Sequence, residues 1–283
     1  MSFTRRDLLR LAAAAPFIGC SSKEEASGFV PGIQLYTLRR VMGERPKETI
    51  EALAAIGFRE AEVTQGQLGT IGGELRRLGI QPVSGHWSLP VFTDSSELAA
   101  AISEAREHGL RYMVIPYVAA ADRGGLDEYR RLAEQINRAG AQCREAGLRL
   151  CYHHHAFEFE PMEDGVRPFD VLLNETDPAS MAVELDVYWV SVAGLDPVVL
   201  LNQLRDRVAL MHLKDAAPET PQMYSEAVPR DTFWEVGSGR LDFRAILAAA
   251  RSVGVDKYFI EQDETPGDPV ESVRKSFEYL RGM

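Results

Sequence analysis

Three histidines stand side by side in CYHHHAFEF, residues 151–159, and they are half of the six in the chain. An imidazole can pack, ligate a metal or move a proton at neutral pH, because its ordinary pKa is about 6.5. Spacing separates these roles. His153 and His155 are two residues apart, and the same spacing recurs at Glu184 and Asp186, at His212 and Lys214, and at Glu261 and Asp263. Each pair lies at the C-terminal end of a short apolar run. Residues two apart on an extended strand share a face, so four runs would deliver imidazoles and carboxylates to one side. His154 would face the other way and pack. A lone histidine reads as a hydrogen-bonded core residue; repetition on four runs reads as a site. Histidine, aspartate and glutamate form a donor set suited to one divalent metal, among Mn, Zn, Fe, Co and Mg.

Eight such runs punctuate the chain: 32–37, 59–64, 81–87, 111–117, 148–155, 181–188, 208–214 and 257–263. Between them lie helical patterns. KETIEALAAIG ends at Gly57, SSELAAAISEAREHG opens on Ser95 or Ser96 and ends at Gly109, and the pattern from Leu126 ends at Gly147. Glycine closing a helix just before a β run is the signature of an αβ loop. Eight strands alternating with helices predict an α/β fold, a (β/α)8 TIM barrel, whose active site lies at the C-terminal ends of the strands. Residues 215–240 carry no clear pattern, and on that face such a long βα loop reads as functional. Cys143 and Cys151 read as free core thiols.

With 283 residues, 45% of them hydrophobic, the chain can bury one large core. Its formal net charge of −11 argues against nucleic acid or an anionic membrane surface as partner. The N-terminus reads separately. Arg5 and Arg6, an apolar run from Leu8 to Ile18, and Gly19-Cys20 make residues 1–20 a twin-arginine export signal, with Cys20 a lipoprotein cysteine. Residues 21–29 read as a flexible tether, and the barrel occupies 30–283. The expected location is the periplasm, free or anchored to the membrane through that lipid.

GIQLYTLR, YHHHAFEF, VELDVYWVSVAG, HLKD, VGSGRLDF and FIEQD, in that order over residues 32–280, resemble the sugar phosphate isomerase/epimerase-like proteins of the xylose isomerase-like TIM-barrel superfamily. The resemblance implies one divalent metal held by Asp186, His212 and Glu261, with a fourth ligand from the fifth strand. Epimerases carry glutamate there, as both ligand and acid/base; this chain offers His153 or His155. One of the two is expected to ligate and the other to act as base, with Glu261 as the further acid/base group. Glu62, His86, Glu158 and Lys214 are expected to contact substrate, Lys214 alternatively pairing with Glu184 or Asp263. Trp87, Tyr188, Trp189 and Trp234 could form a wall for sugar stacking. GSG at 237–239 belongs to a family loop and is no phosphate cradle. An endonuclease reading fails at Trp189, where those enzymes carry a histidine.

The resulting expectation is a metal-dependent enzyme, with a homodimer as its candidate assembly, that abstracts a proton α to a carbonyl. Its substrate would be a non-phosphorylated sugar or keto-sugar, since sugar phosphates are cytoplasmic. Isomerisation or epimerisation leads, with β-elimination from a keto-glycoside or inosose as the alternative. The rival of another class is a sugar-binding lipoprotein without catalysis.

Overall fold

The computed structural model describes residues 29–162 and 165–283. The export signal, Cys20 and the tether up to residue 28 lie outside the described residues. Eight parallel strands close a barrel: β1 (Gly32–Gln34), β2 (Glu60–Thr64), β3 (Gln81–His86), β4 (Tyr112–Ile115), β5 (Arg149–His153), β6 (Ala182–Asp186), β7 (Val208–Leu213) and β10 (Tyr258–Ile260). Two two-residue strands, β8 (Asp215–Ala216) and β9 (Phe233–Trp234), form an antiparallel pair outside it.

All eight expected barrel strands are present, and all but β2 end before their apolar runs do. His155, Lys214, Glu261 and Asp263 therefore stand on the loops just past the strands, on the face where the chain turns out of the barrel. At β1 the cause is local: the Gln34 side chain accepts the Tyr36 N–H and turns the chain into a 3-10 segment, Leu35–Leu38. The helix expected to open on Ser95 or Ser96 is capped one residue earlier. Asp94, in extended conformation, accepts the N–H groups of Ser96 and Glu97. The three predicted C-terminal glycines hold, with Gly109 and Gly147 at φ 76° and 79°.

Strand alternation divides the interior. Leu150 and Tyr152 on β5, Val183 and Leu185 on β6, and Met211 and Leu213 on β7 point outward into the main core under the helices. The intervening positions point inward. Val114, Cys151, Ala182, Leu210 and Phe259 form an apolar plug at the floor. Above it the inward positions change character to Glu62, Glu184 and His212, all fully buried. Cys143 and Cys151 are free and buried, as expected.

Loop 215–240 is better ordered than its sequence suggests. The buried Asp215 carboxylate accepts the N–H groups of Gly237, Gly239 and Leu241, pinning the GSG turn. Those amides are thus already occupied and cradle no phosphate. Phe29, assigned to the tether, packs its ring edge-on against Tyr258 at 5.0 Å.

The helix Leu126–Glu145 crosses the start of β6 so closely that a Cβ on Gly140 would lie 1.9 Å from the Ser180 carbonyl oxygen. That neighbour is backbone and has no side-chain rotamer to give way. Gly140→Val should cost about 3 kcal/mol, read as a lower urea midpoint with an unchanged m-value. An unshifted midpoint would show that the helix moves away freely.

Candidate functional site

Side chains from the ends of four adjacent strands converge at the mouth. His153, Asp186, His212 and Glu261 each offer one ligand atom within 4.8 Å of the others, and all four residues are buried. Asp186 divides its carboxylate: Oδ1 accepts the N–H groups of Tyr188 and Trp189, capping the short helix Val187–Val192, while Oδ2 has no hydrogen-bond partner. His212 Nδ1 lies 2.9 Å from Glu261 Oε2 but makes no hydrogen bond. Buried polar atoms without hydrogen bonds, turned on a common point lined by two carboxylates, are costly unless positive charge sits there. Two imidazoles and two carboxylates match the ligand preferences of a first-row divalent ion, so this cluster fits one.

Lys214 crowds the same point, with Nζ 3.1 Å from Asp186, 2.8 Å from Glu261 and 2.8 Å from Asp263. Of its two expected partners it takes Asp263 and not Glu184. Burial opposes its charge, but the three carboxylates outweigh burial and raise its pKa well above the ordinary lysine range. Glu261 is correspondingly depressed: Lys214 and His212 overcome the cost of burying it.

Beneath lies a second layer. His212 Nε2 donates to Glu62 Oε2 at 2.6 Å, and Gln34 donates to the same oxygen at 2.7 Å. With Nε2 bonded to Glu62, Nδ1 is the nitrogen turned to Asp186 and Glu261, 3.8 and 2.9 Å away; burial opposes the imidazolium, but Glu184, Glu261 and Glu62 outweigh it and raise the His212 pKa well above the ordinary value. A carboxylate that orients a ligating imidazole in this way is a common support of metal sites. His86 Nε2 joins Glu184 at 2.9 Å and Glu62 at 3.1 Å. Burial disfavours the His86 cation, yet Glu62 and Glu184 lift its pKa to about 10. Burial raises Glu62, but His86 and His212 pull it well below the usual range; Glu184 is raised by burial and by Glu62.

The histidine run divides three ways. His154 is fully buried outside the barrel against Phe159 and Phe169. Its Nδ1 donates to the His155 carbonyl and its Nε2 accepts the Asp186 N–H, both at 3.3 Å. The packing histidine thereby fixes the backbone of Asp186. His153 belongs to the cation-fit cluster. His155 does not; it stands half-buried against Trp189, ring centroids 5.0 Å apart. Burial, then the Lys214 charge, holds its pKa well below the ordinary value.

A cavity of about 700 Å³ opens above these groups, walled by His86, His153, His155, Lys214, Glu261 and Asp263. His86 therefore faces it as expected. Glu62 does not: it is fully buried one layer down, bonded to His212. Glu158 is displaced as well. It is fully buried behind the β5 loop, accepting Tyr152 Oη at 2.7 Å and the His155 N–H at 2.8 Å. It holds His155 in place and does not line this cavity. Trp87, Tyr188 and Trp189 are core residues, and Trp234 stands 39% exposed on the hairpin, so none forms the expected stacking wall. The aromatic rings that do line the cavity are Tyr36 and Tyr117, with Arg39, Glu226 and Glu264 around them. None of them stands at the two-residue spacing of the ionisable pairs, so sequence spacing left them unmarked.

Two predictions follow from this geometry. Glu62→Gln should weaken binding of Mn²⁺ or Zn²⁺ by about 10- to 100-fold, and Asp186→Ala by more, in titration calorimetry. Unchanged affinity in Glu62→Gln would show that the 2.6 Å contact does not hold His212. The second concerns Glu158, whose pKa burial raises to about 7 from 4.5, against the lowering effect of Tyr152. A carboxyl raised on folding favours the folded state below its unfolded pKa, and that contribution is lost as pH rises towards 7. Relative to Glu158→Gln, the chelated wild-type protein should lose on the order of 3 kcal/mol between pH 4.5 and 8. Parallel pH–stability curves would refute the shift.

Known proteins accord with this architecture. Residues 50–283 match the family model described as xylose isomerase-like TIM barrel. An inosose dehydratase of Lacticaseibacillus casei is 30% identical over 167 residues, 54% of this chain and 54% of that protein. The chain thus spans about half the length of the curated relatives it matches. A crystal structure described as a sugar phosphate isomerase/epimerase, from Parabacteroides distasonis, superposes with a TM-score of 0.75 at 24% identity, covering 91% of this chain and 95% of that one. The IolI protein, solved with a zinc atom bound, superposes at 0.69 with 12% identity over 89% of this chain and 98% of that one. By the match over residues 50–283, the chain belongs to the xylose isomerase-like TIM barrel family.

Proposed function

We propose that this chain is a metal-dependent lyase that removes a proton α to the carbonyl of a keto-sugar and then expels a β-oxygen substituent. The observation that carries this reading is His155: an imidazole on the cavity wall, adjacent to but outside a cluster that fits a divalent cation. His153, Asp186, His212 and Glu261 would hold that cation. When bound, it supplies the positive charge that polarises the carbonyl and offsets the charge developing on its oxygen.

The chain's own groups do the rest. His155 accepts the carbon-bound proton, and the Glu158 carboxylate fixes its backbone N–H while Trp189 fixes the ring. The same imidazolium can return the proton to the departing oxygen. Lys214, anchored by Asp263, keeps Asp186 and Glu261 ionised and so available as ligands. The likeness to inosose dehydratases supports elimination over simple isomerisation. With the twin-arginine signal read in residues 1–20, the substrate would be a non-phosphorylated sugar outside the cytoplasm.

A second reading, isomerisation or epimerisation, has one observation in its favour. Asp263 lines the cavity, and burial raises its pKa to about 6 despite Lys214, which suits a second acid/base group. Incubation with inososes and keto-glucoses in D₂O separates the two. The lyase should give an enone absorbing in the near ultraviolet, with chelator abolishing it and His155→Ala lowering kcat by about 10² to 10⁴. Deuterium incorporation without enone would establish the isomerase or epimerase instead. Sugar binding with neither outcome would mark a binding protein.

A further inference from the structure

The formal charge of −11 is unevenly spread over the barrel. The floor, where the strands begin, is built by seven connections, each running from a helix end to the start of β2, β3, β4, β5, β6, β7 or β10. Counted from the last two residues of each α-helix to the first residue of the strand, these connections hold eleven lysines and arginines against seven aspartates and glutamates, and the rest of the sequence holds twenty against 35. The total charge thus hides a basic face on an acidic protein. Among the described residues, two floor cations have a carboxylate within 4.0 Å, Arg77 with Glu51 and Glu74, and Lys257 with Glu60. Arg59, Arg111, Arg149 and Arg205 are exposed and have no such partner.

Helix dipoles account for part of this. Arg76, Arg77, Arg106, Arg144 and Arg251 stand in the last turn of a helix, where the negative end of the macrodipole favours a cation. Dipoles do not account for Arg59 and Arg111, each directly before a strand, or for Arg149, the first residue of β5. The barrel ladder sets these three on one rim: the Gln81 N–H donates to the Arg59 carbonyl at 2.8 Å, and the Arg149 N–H donates to the Arg111 carbonyl at 2.9 Å. Arg149 Nη2 reaches the Asp206 carbonyl at 3.5 Å, beside Arg205 at the entry to β7. Arg205 stands there at φ 42°, a backbone region that favours glycine. The four arginines follow one arc of the floor, from β2 round to β7.

The chain also enters at this floor. Phe29 packs against Tyr258, the first residue of β10, with ring centroids 5.0 Å apart, and Val30 beside it is 49% exposed. Cys20, the cysteine read as lipid-bearing, stands nine residues before Phe29. Nine residues span at most about 30 Å. A lipid on Cys20 would hold the floor close to a bilayer, at separations where attraction between unlike charges survives screening over about 10 Å. We propose that the floor arc of Arg59, Arg111, Arg149 and Arg205 docks on an anionic phospholipid bilayer, so that the mouth, at the other ends of the strands, faces away from the lipid towards soluble substrate. A continuous phosphodiester surface offers opposite charge to all four guanidinium groups at once, and each basic group near such a surface adds to the attraction. The docking is independent of the reaction proposed above, and the charge of the floor stands with or without a lipid on Cys20.

The test is cosedimentation of the full chain with vesicles of phosphatidylcholine, pure or with about one third phosphatidylglycerol. Whatever the N-terminus contributes is common to all variants. Together, Arg59→Glu, Arg111→Glu, Arg149→Glu and Arg205→Glu should weaken binding to the anionic vesicles about tenfold or more and flatten its salt dependence, with binding to pure phosphatidylcholine unchanged. Lys47→Glu, Arg138→Glu, Arg244→Glu and Lys275→Glu change the net charge equally, at exposed helix positions away from the floor, and should cost far less. Equal losses in the two sets, or none in the first, overturn the proposal. Should the floor set misfold, a fluorophore decides with the arc intact. It is attached at Ser252→Cys on the floor or Ser225→Cys at the mouth, in a Cys20→Ser chain whose Cys143 and Cys151 are buried. Its emission should shift to the blue on anionic vesicles at the floor position alone, and a floor shift no larger than the mouth shift removes the docking surface. Loss of self-association in the floor set with vesicle binding intact would assign the arc to a second copy of the chain and overturn the proposal as well.

Discussion

Burial of like charge at one end of the barrel is the constraint on which the rest of the site depends. Glu62, Glu184, Asp186 and Glu261 sit within two layers of each other, none more than 5% exposed. Carboxylates so placed repel one another and lose their hydration, a cost they meet only through opposite charge and hydrogen bonds. The chain supplies His86 and His212 between the lower pair, and Lys214 between the upper pair and Asp263. Asp186 Oδ2 and His212 Nδ1 are still left without hydrogen bonds. A divalent cation would resolve that remainder, which is why the cluster reads as a binding site and not as a closed network of ion pairs.

Barrel geometry is what makes this concentration of charge tolerable. The period of two along each strand sends apolar residues out to the helices and leaves the inward positions to be chosen layer by layer. At the floor these are apolar, and the Phe259 ring fits there because Gly32 has no side chain; a Cβ would fall 2.6 Å from it. The polar layers thus rest on a dry plug and open only towards the loops. His212 spans the two polar layers, one ring nitrogen bonded downward to Glu62 and the other turned upward to the ligand cluster. A lysine or glutamine in its place could serve one layer only.

The sequence made this arrangement legible where periodicity carried it. The eight strands, the pairing of site residues two apart and the outward turn of His154 all follow from alternation, and the structure bears them out. Depth was harder to read. Glu62 shares a face with the site, but its position on β2 sets it below the mouth, and alternation gives a face without giving a height. Glu158 misled for another reason: a glutamate in the loop after β5 reads as a substrate contact, whereas Phe157 and Phe159 on either side carry it under the surface to Tyr152. Tyr117, Arg123 and Glu226 stayed invisible because their contacts join residues 103 and 109 positions apart, and no local pattern encodes such a meeting.

The three adjacent histidines show how one sequence feature can do separate work without redundancy. If all three had faced one ion, the run would have been a simple chelator, and removing any member would have weakened the same interaction. Alternation and the end of β5 prevent this. His153 is still on the strand and enters the cluster, His154 turns outward and holds the Asp186 backbone, and His155 lies past the last ladder bond, held by Glu158. The proposed ligand and the proposed proton acceptor are therefore close neighbours in sequence, their rings 5.0 Å apart and nearly perpendicular. Where a glutamate on this strand would have to ligate and transfer protons with one side chain, the proposal divides the tasks between two imidazoles. Their surroundings differ accordingly, His153 standing 3.4 Å from Glu184 and His155 between the Trp189 and Phe157 rings.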